Sequence, residues 1–331
     1  MTILFLASTF RWDILLWVIG GILLLGLIMW PVMYLIASYF VYDRVLHRKD
    51  SSHWGREISF ADDPEYVAMY GKGAEWYEQN KDKKQDVHIV RDGFNLYGEY
   101  FDFGSDRSVI ILSGRTEGLT YGYFFAKPYA KAGCNVLVID ARAHGLSDGE
   151  YNTCGFEESK DALAWAKHLH NELGVKSVIF HGICIGSAAA VFALTSDDCP
   201  DYIEGMVAEG MFANFSESMK NHLIERKKPV FMLNDMIAMW MKHYTGHSMK
   251  FGPIDVINKL DKPLLMLHSK EDLYSVPEYA QKLYDKANSS YKKLVWFEHG
   301  RHSMLRITET PKYDGAIEEF IANCFESEHA A

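Results

Sequence analysis

No two of the five cysteines form a Cys-x-x-Cys pair; their number is odd and they lie scattered at Cys134, Cys154, Cys184, Cys199 and Cys324. That spacing offers neither a disulfide framework nor a zinc site, and a reducing compartment is the simpler reading. Also missing is any run of lysine or arginine with interleaved aromatics. With 34 basic against 44 acidic residues and a formal net charge of −10, the chain lacks a surface suited to phosphates, which excludes nucleic acid as a partner. It has no internal repeat and no low-complexity tract. A hydrophobic content of 48% over 331 residues excludes a disordered chain and suits one large domain plus an accessory segment.

Charge is absent altogether from Ile14 to Tyr42. This run, ILLWVIGGILLLGLIMWPVMYLIASYFVY, exceeds the roughly 20 residues that cross a hydrocarbon core and is too long for the apolar region of a cleaved signal. The expectation is a short tail over 1–13 and a single membrane-spanning helix over 14–42, with Trp12, Trp17, Tyr39 and Tyr42 toward its ends and Pro31 as a kink site. Only Arg11 precedes the span, whereas Arg44, Arg48, Lys49 and Arg56 follow it. Positive residues stay inside, so the bulk of the protein is expected in the cytoplasm.

Residues 43–85 read as a linker and a packing helix over about 64–79, because Asp63 followed by Pro64 supplies an N-cap and a first-turn proline. Beyond Lys84 a hairpin through Asp92-Gly93 leads into short apolar runs, SVIILS, CNVLVID, KSVIFHG, DYIEGMVAE, KPLLMLHS and KKLVWFEH. Helical segments over 154–173, 185–196, 276–287 and 308–325 separate several of them. Such alternation predicts a mostly parallel sheet covered on both faces, over 86–327, with functional residues at the carboxyl ends of the strands. One interruption, about 210–258, is too long for a simple crossover and is rich in methionine. It reads either as helical core or as a lid over an acyl pocket.

Three strand ends carry chemistry. Gly182-x-Cys184-x-Gly186 follows KSVIFHG and precedes a small-residue helix. Glycines there permit a tight turn that lifts a side chain onto the sheet edge, and the helix amino terminus favours negative charge beside a thiol whose ionised form is the nucleophile. Asp272 lies after KPLLMLHS, and His302 lies after KKLVWFEH. Glu271 and His299 compete with them; the spacing favours Asp272 and His302. His144, Asp148 and His181 read as structural.

This order of nucleophile, acid and histidine, together with IDARAHGLSDG over 139–149 and ILSGRTEG over 111–118, resembles the α/β-hydrolase superfamily, particularly its serine aminopeptidase S33 and monoacylglycerol lipase-like branch. The resemblance covers about 86–325 and implies an α/β-hydrolase fold with a helical lid. It further implies Cys184 as nucleophile, His302 as general base and then acid, Asp272 as the group fixing the imidazole tautomer, and the backbone N–H groups of Arg115 and Ile185 as the oxyanion hole. Arg115, Met211 and Phe212 are the candidates to contact substrate. The chain departs from the family at Ser113, where histidine is usual, at Ala143, where glycine is usual, and at Pro277, one residue late. A cysteine nucleophile resembles dienelactone hydrolases and acyl-CoA thioesterase relatives.

The function expected is cleavage of an ester or thioester in a small-molecule, lipid-like acyl substrate by a membrane-anchored enzyme. An acyltransferase on the same triad, an S33-type peptidase and a catalytically silent membrane-tethered binding or scaffold protein are the alternatives. No motif implies a metal or an organic cofactor, and the oligomeric state is not legible.

Overall fold

Asp92 and Gly93 both take positive φ, 53° and 82°, the conformation that a two-residue hairpin turn with matching twist requires. They join β1 (Lys84–Arg91) to β2 (Phe94–Phe101), with Arg91 opposite Phe94. The computed structural model describes residues 11–50 and 52–326, so most of the tail expected over 1–13, and the domain end expected at 327, lie outside the described residues.

The remaining strands are β3 (Arg107–Leu112), β4 (Asn135–Ile139), β5 (Ser177–Ile183), β6 (Ile203–Glu209), β7 (Leu264–Ser269) and β8 (Lys292–Phe297). Helices α1 (Trp12–Leu46) and α2 (Pro64–Asn80) precede the sheet, and α3 (Leu119–Lys131), α4 (Phe156–Leu173) and α5 (Ile185–Leu194) follow β3, β4 and β5. Helices α6 (Phe215–Glu225), α7 (Leu233–Thr245) and α8 (Pro253–Val256) fill the interval between β6 and β7. Next come α9 (Pro277–Lys286) after β7, and α10 (Leu305–Thr308) and α11 (Thr310–Glu326) after β8.

The strand order is β1-β2-β4-β3-β5-β6-β7-β8. β2 runs antiparallel to both neighbours and every other pairing beyond it is parallel. Side chains alternate across this sheet with the period of two that strand geometry dictates. Val109, Ile111, Val136, Val138 and Ile179 join α2, α3 and α11 in one core. Ile110, Leu112, Leu137, Ile139 and Phe180 join α4, α5 and α9 in the other. Burial on both faces explains why the central strands read as continuous apolar runs.

Helix α3 has no counterpart among the elements expected from the sequence. Its run, LTYGYFFAKPYAK, contains Gly122 and Pro128, and nine of its thirteen residues are buried. Thr120, Lys127 and Lys131 mark its uncovered side, a polar stripe too narrow to stand out as that of a surface helix. Gly122 lets it close onto the sheet: a Cβ there would sit 2.3 Å from Val138 Cγ1.

Helix α1 is the one helix among the described residues long and apolar enough to cross a membrane. It continues to Leu46, past the expected end at 42, because its last turns are packed. Ser38, Tyr42 and Leu46 are buried, Trp240 of α7 donates to Ser38 Oγ at 3.0 Å, and Tyr42 stacks on Tyr244 with ring centroids 5.4 Å apart. The segment beyond it is pinned as well. Arg48 donates to the carbonyls of Ser147 and Gly145 at 2.9 and 2.6 Å, and the Asp63 side chain caps α2 through the Glu65 N–H at 3.0 Å.

Between β5 and α5 the chain reverses within one residue, and two glycines make this possible. A Cβ on Gly186 would fall 1.9 Å from the Leu112 carbonyl oxygen, and one on Gly182 would fall 2.4 Å from the Gly186 carbonyl carbon. No rotamer relieves contacts with backbone. Gly186→Ala should therefore lower unfolding free energy by on the order of 3 kcal/mol or more, read as a drop in the denaturation midpoint. An unchanged midpoint would show that the turn is looser than these distances require.

Candidate active site

Cys184 stands at the apex of this turn with φ 54° and ψ −107°, a conformation that a non-glycine residue holds only under constraint. Its own N–H donates to Glu209 O at 2.9 Å, and its carbonyl accepts from Ser187 and Ala188. The thiol is left partly exposed, in the wall of a cavity of about 260 Å³.

Facing it is His302. The ring Nδ1 donates to Asp272 Oδ2 at 2.7 Å, an arrangement that turns Nε2 toward the cavity and the sulfur. Asp272 is buried and accepts two further hydrogen bonds, from the N–H groups of Tyr274 and Ser275 at 2.8 and 2.9 Å. Burial opposes its charge, yet His302 beside it and these donors hold the carboxyl below its ordinary range. Burial also opposes charge on His302, but Asp272 and the Cys184 sulfur outweigh it and raise the imidazole well above its ordinary pKa. Gly210, with φ 58°, admits the ring: a Cβ there would lie 3.0 Å from His302 Cε1.

The competing pair sits elsewhere. His299 is exposed and bonds Glu271 Oε1 at 3.0 Å on the surface. The structure thus brings Cys184, His302 and Asp272 together and leaves His299 and Glu271 to each other.

Next to Cys184 runs the loop after β3. The backbone N–H groups of Arg115 and Ile185 donate to no other described residue, which leaves both available to an incoming oxyanion. The loop is held from behind. His144 Nε2 bonds the Arg115 carbonyl at 2.5 Å, its Nδ1 bonds Arg142 O at 2.8 Å, and Trp54 stacks on the ring at 4.8 Å. Asp140, fully buried at the end of β4, accepts from the N–H groups of Leu119 and Leu146 and from Arg56 at 2.7 to 3.0 Å. Ala143 has φ 61°, which explains why glycine suits that position in the family the sequence resembles.

The cavity is lined by Gly114, Arg115, Glu117, Cys184 and His302, by Phe60, Tyr66 and Tyr121 on one side, and by Phe215, Ser218, His222 and Arg226 of the α6 region on the other. Arg115 is where the sequence puts it. Its Nη1 donates to Val45 O at 3.1 Å, and it pairs with no carboxylate among the described residues. Burial pushes this guanidinium below its ordinary value, although arginine stays charged in proteins.

Met211 and Phe212, expected to contact substrate, do not line the cavity. Met211 is buried in the core with α4 and α5. Phe212 is buried against Phe215 in a third core that joins α5, α6, α7 and the end of α1. The turn at Gly210 drives both inward, and α6 supplies the wall instead. Among the described residues no cluster of His, Cys, Asp or Glu is placed to hold a metal ion.

Sequence reasoning missed Glu209, which is buried at the end of β6. It accepts from Tyr313 Oη at 2.6 Å and from the Leu305 N–H at 3.2 Å. Tyr313 in turn meets His181 Nε2 at 3.1 Å, and Tyr129 meets His181 Nδ1 at 2.9 Å. This buried chain anchors the segment just after His302. Glu117 was missed too. Tyr70 and Ser59 donate to it, and burial raises its carboxyl above the ordinary range. A carboxylate at the end of a strand expected to be buried was the available signal for Glu209.

No family model matches the chain. It is 29% identical over 239 residues to the uncharacterized protein YqkD of Bacillus subtilis (strain 168), covering 71% of this chain and 78% of that one. The lysophosphatidylserine lipase ABHD12 of Danio rerio is 24% identical over 225 residues, 66% of this chain and 52% of the relative, so the chain spans about half of that protein's length. Among solved structures, the Pyrococcus furiosus esterase Pf2001 superimposes with a TM-score of 0.63 at 23% identity, covering 75% of this chain and 94% of that one. The fold is the α/β-hydrolase fold expected from the sequence.

Glu209 has a measurable signature. Burial pushes its carboxyl from an ordinary 4.5 up to about 7, against the hydrogen bonds from Tyr313 and Leu305. The fold therefore favours the protonated form: the stability it contributes is complete below pH 4.5 and is lost as pH rises through 7. Glu209→Gln cannot ionise, so across that window its stability should fall less than that of the parent, by on the order of 3 kcal/mol. Denaturation midpoints from pH 4 to 8 that run parallel for the two proteins would contradict the shift.

Proposed function

We propose that this chain is a membrane-anchored α/β-hydrolase that cleaves an ester or thioester through an acyl-Cys184 intermediate. The observation that carries the reading is the partly exposed Cys184 at a strained turn, opposite a His302 ring held by Asp272 at 2.7 Å. Support for an ester bond comes from the relatives: one is named a lipase and one solved neighbour an esterase. The anchor rests on α1, and the basic residues that follow it favour a cytoplasmic domain.

In this mechanism the Cys184 sulfur, as thiolate beside the His302 imidazolium, attacks the acyl carbonyl. The carbonyl π electrons move onto oxygen, where the Arg115 and Ile185 N–H groups receive the charge. Collapse of the tetrahedral species expels the alkoxide or thiolate, which takes the proton from His302 Nε2. Water then gives a proton to the same nitrogen as it attacks the acyl-thioester, and carboxylic acid and free Cys184 result. Asp272 keeps the ring in one tautomer throughout. Arg115, a cavity-lining cation without a carboxylate partner, binds an anionic group on the substrate.

The test uses the full chain in detergent or nanodiscs with nitrophenyl esters, acyl thioesters and peptide anilides. Turnover should vanish in Cys184→Ala, fall by roughly 10³-fold or more in His302→Ala, and leave an acyl adduct on Cys184 detectable by mass spectrometry. Equal turnover in the parent and Cys184→Ala would sink the reading; turnover confined to anilides would point to an S33-type peptidase instead.

A second series addresses Arg115. Arg115→Gln should raise KM about 10-fold for esters carrying a carboxylate or phosphate, the loss of one charge-assisted pair, and leave neutral esters unchanged. Equal effects on both classes would assign the side chain a purely structural role.

A further inference from the structure

Helices α1 and α7 run side by side in the same direction. Trp240 bonds at Leu35 O and Ser38 Oγ, at 3.4 and 3.0 Å, whereas Tyr244, one turn later in α7, stacks on Tyr42. Pro31 and Tyr34, further back along α1, are also partly covered, unlike Val32 and Met33 beside them. The amino end of α7 therefore lies roughly 10 Å back from Trp240 along α1, at a rise of about 1.5 Å per residue. That places it beside the carboxyl-terminal turns of the uncharged run.

The segment that enters α7 there, residues 226–232, has the chemistry of a bilayer interface. Phe231 is 76% exposed and Ile224, just before the segment, is 55% exposed. Arg226, Lys227 and Lys228 are all exposed, in a protein whose overall charge is −10. Lys227 and Met232 both take positive φ, 53° and 60°, so a turn bounds the segment at each side. An apolar tip preceded by three cations suits a surface with an anionic headgroup layer over hydrocarbon.

The same segment touches the active site. Arg226 lines the cavity that holds Cys184, as do Glu225 just before it and His222 one turn earlier on α6. At about 260 Å³ this cavity lies below the range of roughly 300 Å³ upward that encloses a drug-sized ligand. A long acyl chain with its carbonyl at Cys184 must extend out of the mouth.

We infer that residues 226–232 form a membrane-docking tip that seats the mouth of the Cys184 cavity on the bilayer, so that a long-chain acyl substrate reaches the sulfur directly from the lipid. The inference rests on the proposed acyl chemistry and on α1 as the anchor.

The experiment uses the full chain in vesicles of phosphatidylcholine with phosphatidylglycerol. The extra emission of Phe231→Trp over the parent should be quenched by lipids brominated high on the acyl chain. The emission added by Lys176→Trp, at the exposed opposite end of the sheet, should not be. In the triple variant Phe231→Asp, Lys227→Glu, Lys228→Glu, hydrolysis of a long-chain monoacyl ester in the vesicles should drop at least 10-fold, while hydrolysis of a short water-soluble ester stays at the parent level.

No quenching at position 231 overturns the docking tip. Quenching with an unchanged ratio of long-chain to short-chain activity overturns the route from the bilayer. Release of the parent chain by a carbonate wash defeats the anchor, and loss of all turnover in the parent defeats the acyl chemistry, but quenching reads the tip independently of both.

Discussion

Everything around Cys184 depends on one close approach, that of Gly186 to the Leu112 carbonyl, where no side chain fits. It sets the first turn of α5 against the end of β3, and so it places two things side by side. One is the nucleophile candidate at the apex of the turn. The other is the loop that leaves β3 at Ser113 and carries the Arg115 N–H past it. A looser turn would separate the sulfur from the donors that its reaction would need, since such donors act only at hydrogen-bonding distance. The backbone strain at Cys184 is tolerated because the sheet and α5 over-determine the residue from both sides.

Asp140 organises the next layer. One buried carboxylate collects the start of α3, the loop through Leu146 and the Arg56 side chain, so three chain segments far apart in sequence share a single charge. Arg56 belongs to the stretch after α1, and Gly118 packs against Gly55 so tightly that a Cβ would sit 2.5 Å from its carbonyl oxygen. The region between the apolar helix and the sheet is thereby built into the back of the site. It is not a tether.

How much of this the sequence revealed follows from how local each feature is. The glycines around Cys184 encode a turn within five residues, and Asp272 and His302 follow short apolar runs, the buried β7 and the partly covered edge strand β8. These were legible. The sites of Met211 and Phe212 were not, because composition marks a segment as apolar without saying which way a turn at Gly210 sends its side chains. Helix α3 was hidden by the burial of nine of its thirteen residues, which leaves only a narrow polar stripe. Glu209 and Glu117 look like ordinary acids until Tyr313 and Tyr70, from distant helices, arrive to cap them.

The continuity of α1 from its uncharged run into the core at Tyr42 and Leu46 has a geometric corollary. A domain joined to its anchor by a flexible linker tumbles beneath the membrane and presents every face in turn. Here Trp240, Tyr244 and Tyr151 pack on the last turns of α1, so the end of the helix is part of the domain's own core. If the axis of α1 is fixed along a bilayer normal, a single latitude of the protein surface is committed to the lipid, and the protein's search for substrate becomes a two-dimensional one.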